Sequence, residues 1–137
     1  MITEDYVSFE VAKLLKEKGF DEQCRAFYKC WPVNPVLYKC DNTQVFDYCT
    51  NSSLSAYNYI GEEMNIAAPT HQMAMKWLRE KHIIIVVQPE YFNGGAECSY
   101  WGVDIWADDN YEKLQGDFPS YEEAVEAALK YSLENLI

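Results

Sequence analysis

The run Ile83-Ile84-Ile85-Val86-Val87 constrains this chain more than any other stretch. Five consecutive β-branched residues with no polar alternation suit a strand covered on both faces, and Pro89 is placed to stop it. A helix feeds directly into this run. Pro69 and Thr70 form its start signal, because proline fits the first helical turn and a threonine oxygen accepts from an unpaired backbone amide. Met73, Ala74, Trp77 and Leu78 share one helical face, while Lys76, Arg79 and Lys81 lie opposite or in the C-terminal turn. The expectation is a helix over Thr70–Lys81, closed by His82, and a central strand over Ile83–Val87.

Two further helices are marked by their caps. Ser8 opens Ser8–Lys18, whose buried stripe is Val7, Val11, Leu14 and Leu15. Gly19 is placed for the left-handed exit position, and Phe20 for the apolar contact that follows it. Ser120-Tyr121-Glu122-Glu123 reads as a capping box at the head of Ser120–Asn135, with Glu123 reaching back to the cap amide. Tyr121, Ala124, Val125, Ala128, Leu129, Ser132, Leu133 and Leu136 form one face to the end of the chain.

The remaining strands are read from alternation and turns. Cys24 to Trp31 is one, with Cys24, Ala26, Tyr28 and Cys30 on one side and Arg25, Phe27 and Lys29 on the other. Val36 to Cys40 and Gln44 to Cys49 flank Asp41-Asn42 as a hairpin. Cys98 to Ala107 returns antiparallel to Ile83–Val87, with Trp101, Val103 and Ile105 facing one way and Tyr100, Gly102, Asp104 and Trp106 the other. Asp108-Asp109-Asn110 turns the chain into a short strand, Tyr111 to Leu114. Residues 50–66 carry no decisive pattern: Asn51 to Ser55 suits a loop or cap, and Leu54 to Met64 fits either a short helix or an irregular loop, since Gly61 interrupts the helical spacing. The expected fold is therefore α+β: a single domain over residues 1–137, with an antiparallel or mixed sheet of about four to six strands and helices mainly on one face.

At 137 residues the chain is long enough to bury a core without staples. No apolar run approaches the roughly 20 residues of a membrane helix, and the acidic start Met1-Ile2-Thr3-Glu4-Asp5 does not resemble a secretion signal. Cys24, Cys30, Cys40, Cys49 and Cys98 are odd in number, with no Cys-x-x-Cys pair. They read as free thiols in a reducing, cytoplasmic setting and as small buried hydrophobes, not as zinc ligands. No cofactor is expected.

Charge is uneven. Residues 1–88 carry 11 acidic and 9 basic side chains, whereas residues 89–137 carry 11 acidic ones against Lys113 and Lys130 alone, for a net charge of −11 overall. Such a C-terminal half repels phosphate backbones and favours basic partners. Direct nucleic-acid binding is not expected, even though the basic residues of the Trp77 helix resemble those of small DNA-binding regulators. The expected interaction surface consists of Asp104, Asp108, Asp109, Glu112, Glu122, Glu123 and Glu126.

Other constellations carry less. Asp108-x-Asn110-x-Glu112 alternates oxygens like a calcium loop but lacks its glycine and distal glutamate, so a polar turn is the better reading. Cys98 with His71 or His82 would be needed for a Cys–His nucleophile, yet no signature surrounds them, and His71 is expected to be exposed. Trp31, Tyr38, Tyr48, Tyr57 and Tyr59 are too many to bury together, which suits a protein-binding patch or a homodimer contact as well as a half-exposed sheet. One internal echo stands out. Lys13-Leu14-Leu15-Lys16-Glu17-Lys18-Gly19-Phe20 aligns with Lys76-Trp77-Leu78-Arg79-Glu80-Lys81-His82-Ile83 at constant offset, which either reflects a duplicated helix–strand–strand unit or two helix ends built from common residues.

The strings VSFEVAKLLKEKGF, APTHQMAMKWLREKHIIIVV and FPSYEEAVEAALKYSLENLI together resemble a small protein family of phages and mobile elements in gut Bacteroides-type bacteria. The resemblance spans nearly the whole chain and is weakest from Tyr28 to Tyr59. It implies a cytoplasmic, phage-borne context and carries over no activity or functional residue. The expected function is non-enzymatic: protein–protein interaction with a basic host or phage protein through the acidic C-terminal face. The alternatives are a small enzyme with an unidentified cysteine or carboxylate site and, further behind, a DNA-binding regulator.

Overall fold

A computed structural model describes residues 2–30, 34–40, 47–55, 65–91 and 100–137. The chain gathers into two compact units, Met1–Thr70 and His71–Ile137. The class is α+β, with the six described strands shared equally between two antiparallel sheets. Among the described residues no helix is long and apolar enough to cross a membrane.

In the first unit, α1 (Phe9–Glu17) begins where the Ser8 hydroxyl accepts from the Val11 amide at 3.2 Å. It ends as its sequence dictates. Gly19 adopts φ 92°, its amide donates to the Lys16 carbonyl, and the Phe20 amide donates to Leu15. These paired bonds close the helix in a Schellman turn, with Leu15 and Phe20 both buried. The sheet has the order β2-β1-β3, built from β1 (Ala26–Lys29), β2 (Val36–Lys39) and β3 (Asn65–Ala67). The expected hairpin of Val36–Cys40 with Gln44–Cys49 is not followed at its described end. β2 pairs with β1, and Cys49 instead exchanges backbone hydrogen bonds with Cys24, at 2.7 and 2.8 Å. Residues 41–46 lie outside the described residues, as do Trp31, Tyr57, Tyr59 and Cys98. β3 was not foreseen: Asn65-Ile66-Ala67 is too short to show a period, yet it is wholly buried against β1.

The short helix α2 (Asn51–Ser55) sits in the stretch without a decisive pattern. Asn51 explains its position. Its buried side chain donates to the Phe20 carbonyl at 2.7 Å and accepts from the Ala67 amide at 2.9 Å, tying the exit of α1 to β3. Asp21 binds the Ser52 amide and hydroxyl at the same end, and these bonds hold its carboxyl below the usual range.

The second unit runs α3 (His71–Glu80), β4 (Ile83–Glu90), β5 (Tyr100–Ala107), β6 (Asn110–Phe118) and α4 (Tyr121–Asn135). Its sheet order is β4-β5-β6, so the expectation that Ile83–Val87 is the central strand is overturned: among the described residues β5 holds that place and β4 lies at an edge. Nor does Pro89 stop the strand, which continues to Glu90 with Pro89 opposite Trp101. An edge position reconciles both facts, because a proline's missing donor costs nothing when it points away from the partner strand. Burial alternates along the apolar run, with Ile83 buried and Ile84 46 % exposed.

α3 and α4 pack on the face that carries Ile83, Val103 and Ile105. Trp101 meets the Tyr121 ring edge-on on this side, at 5.5 Å. The buried face of α4 is Ala124, Val125, Ala128, Leu129, Ser132 and Leu133, matching the expected stripe. Its cap differs in one detail: the Ser120 hydroxyl accepts from the Glu123 amide and donates to the Glu123 carboxylate, which therefore meets the hydroxyl of the cap. β6 extends well past Leu114. Between Leu114 and Phe118 it bulges against the Trp101–Val103 segment of β5, with Gly116 at φ 139°.

The internal echo has a geometric counterpart. His82 aligns with Gly19 and also adopts the left-handed region, at φ 65°, as its amide donates to the Arg79 carbonyl. The strand orders differ, however: the strand after the helix is central in the first unit and at an edge in the second.

Two stability measurements follow from these joints. Asn51→Ala strands a buried carbonyl and a buried amide, so chemical denaturation should show a loss of about 2–4 kcal/mol. His82→Gly relieves a left-handed side chain and should stabilise by about 0.5–1 kcal/mol, whereas His82→Val should destabilise. Equal midpoints for the glycine and valine variants would show that His82 is not under backbone strain.

Candidate functional site

Side chains in a strand alternate between faces, and residues opposite one another on neighbouring strands share a face. In the second unit this places Ile84, Trp106 and Tyr111 in one row across β4, β5 and β6, with Val86, Asp104 and Lys113 in the next. The helices lie on the other side. Ile84, Val86, Trp106 and Tyr111 are accordingly each between 39 and 49 % exposed, as a contiguous apolar and aromatic patch. Trp106 and Tyr111 pack together with ring centroids 4.5 Å apart.

A polar cluster is set into this patch. The Tyr111 hydroxyl donates to Asp104 Oδ1 at 2.6 Å, and Gln88 Nε2 donates to Oδ2 at 3.0 Å. Donation to the carboxylate raises the Tyr111 pKa. In the following row, opposite Gln88, stands Gly102, and the side chain of Glu90 lies over it: a Cβ at position 102 would come within 2.6 Å of Glu90 Oε1. That carboxylate is 3.8 Å from Lys113 Nζ. The glycine thus leaves room for a carboxylate from β4 to approach a lysine on β6.

The expected acidic residues sort into three places. Asp104 lies within the patch, and Asp108 and Asp109 form the adjoining β5–β6 turn, with Asp108 at φ 53°. Glu112 is opposite Ile105, on the helix side, and accepts from the Tyr131 hydroxyl of α4, whose pKa it raises. Glu122, Glu123 and Glu126 belong to α4 itself. Of these, Glu126 is engaged by His71. His71 is 5 % exposed, which corrects the expectation that it faces solvent; its Nε2 lies 2.8 Å from Glu126 Oε1 and links the first turn of α3 to α4. His82 is exposed at the exit of α3, where its carbonyl accepts from the Asp108 amide. A shallow groove of about 330 Å³ opens between β6 and α4, lined by Leu114, Phe118, Ala127, Lys130, Tyr131 and Glu134.

In the first unit Cys24, Cys40 and Cys49 are buried thiols. Burial pushes the Cys24 thiol up to about 12 and raises that of Cys49 as well. Thiols so placed are protonated and poor nucleophiles. Tyr38 and Tyr48 are exposed, and Tyr38 stacks on Phe27 across the β1–β2 pair.

The unexpected element is the row through Ile84, Trp106 and Tyr111. Its signal is present in the sequence, since Trp106 falls on the face opposite Val103 and Ile105, but a β-branched run without polar alternation does not show that one of its faces is open. No family model, curated protein or solved structure matches the chain.

The thiols offer a direct check. The stability gained from keeping Cys24 neutral is present below the ordinary thiol value of 9.0 and is lost as pH rises toward about 12. Native protein at about pH 8 should therefore resist iodoacetamide at Cys24, Cys40 and Cys49 until it is unfolded. Rapid native alkylation of Cys24 in a peptide map would contradict this.

Proposed function

We propose that this chain acts by binding a protein partner through the face of its second sheet opposite α3 and α4. The observation that carries this reading is the contiguous exposure of Ile84, Val86, Trp106 and Tyr111 on three paired strands. Isolated exposed apolar residues are ordinary, whereas a clustered patch containing Trp and Tyr has the composition of an interface centre. Residues 71–137 hold 12 acidic and 5 basic side chains, so the field around this patch is negative. A basic partner is favoured by that field and a second copy of the chain is repelled. The phage-borne context implied by the sequence resemblance makes a host or phage protein the natural candidate.

The reading is non-enzymatic. His71 has its Nε2 taken up by Glu126, and the described thiols with raised pKa values are buried in protonated form.

Capture from bacterial lysate, with wild type compared against Trp106→Ala, is the test. Trp106 is half-exposed, so its removal should leave the fold intact by circular dichroism. A partner retained at low salt, released at high salt and weakened by about 2 kcal/mol in the variant is expected. Equal capture by wild type and variant would refute the proposed face.

A further inference from the structure

We propose that Trp106, Tyr111 and Asp104 form a receptor for an arginine side chain of the partner, an inference that rests on the binding face just described. Asp104 and Trp106 are two residues apart on one face of β5, roughly 7 Å along the strand. A guanidinium laid over the indole is within reach of the carboxylate at that spacing. Aromatic faces attract cations, most strongly at Trp, and a planar guanidinium stacks where an ammonium cannot. The two rings of the Trp106–Tyr111 pair are each about half-exposed, at 48 and 49 %.

The carboxylate is prepared for such a guest. Tyr111 and Gln88 each donate to a different oxygen, fixing its plane with neutral donors. A carboxylate has about four acceptor positions, which leaves one on each oxygen for a bidentate guanidinium. The lysine opposite Asp104 on β6 is drawn to another carboxylate. Lys113 is the register partner of Asp104, yet its ammonium is 3.8 Å from Glu90, whose side chain reaches over Gly102. Val86 stands on the other side of Asp104, opposite it on β4, and supplies an apolar wall for the methylene stem.

The experiment uses the full chain, labelled with ¹⁵N, titrated with N-acetylarginine amide and separately with N-acetylcitrulline amide. Citrulline keeps the shape and removes the charge. Arginine should shift the Trp106 indole signal and the Asp104 and Tyr111 amides, with a dissociation constant on the order of 1 mM. Citrulline should bind roughly tenfold more weakly, and Asp104→Asn should weaken arginine binding by a similar factor. Gly102→Ala displaces Glu90 and frees Lys113 to approach Asp104, so it should also weaken arginine binding while leaving Trp106 in place. Equal shifts from arginine and citrulline, an undiminished response in Asp104→Asn, or shifts confined to residues away from Trp106 would each overturn the inference. Its failure is separable from that of the binding face. Partner capture lost in Trp106→Ala without any arginine preference keeps the face and removes the guanidinium site. Arginine binding with undiminished partner capture in Trp106→Ala removes the face, and with it the partner's arginine, and leaves only a site for free arginine.

Discussion

A three-stranded sheet has two faces, and the helices of the second unit serve one of them. α3 and α4 cover Ile83, Val103 and Ile105, whereas Ile84, Val86, Trp106 and Tyr111, on the other parity of β4, β5 and β6, are exposed. The rest of that unit follows from this imbalance. Alternation carries Ile84 and Val86 outward although they are as apolar as their neighbours, and cross-strand register brings Trp106 and Tyr111 beside them. Asp104 and Lys113 then occupy an apolar neighbourhood in which their own hydrogen bonds and charge partners are chosen from the same face.

How far the fold was legible depended on whether a residue's local chemistry decided its place. Ser8, Gly19 and Ser120 did so, because a cap or left-handed exit is satisfied within a few residues. The stripe of α4 was equally legible, since fifteen residues display many turns of one period. Pairing was another matter. Whether β4 is central or at an edge depends on which strands lie beside it, and a run of β-branched residues reads the same in both positions. β3 has three residues and no period to read; it is held by Asn51, sixteen positions before Ala67, through a hydrogen bond that no local pattern announces.

The candidate site was legible in part for the same reason. Its acidic members were visible as charge, but charge does not say which side of a sheet a residue takes. Asp104 and Glu112 are eight residues apart on adjacent strands and face opposite ways, one toward the aromatic row and the other toward Tyr131. His71, at a helix start that usually faces water, is buried because Glu126 on α4 meets it there. Tertiary partners made both decisions.

The bulge in β6 has a bearing on how such a surface survives in a crowded cell. A flat apolar sheet bounded by a long regular edge invites further strands to add on, and filaments grow that way. Here Gly116 takes a conformation few other residues adopt, and the ladder between Leu114 and Phe118 loses its regular spacing. Glu112, Lys113 and Asp117 add charge along the same strand. An incoming backbone meets an interrupted template on β6, and on β4, the other edge among the described residues, Pro89 withholds one donor, so the aromatic row is flanked by edges that both resist a further strand.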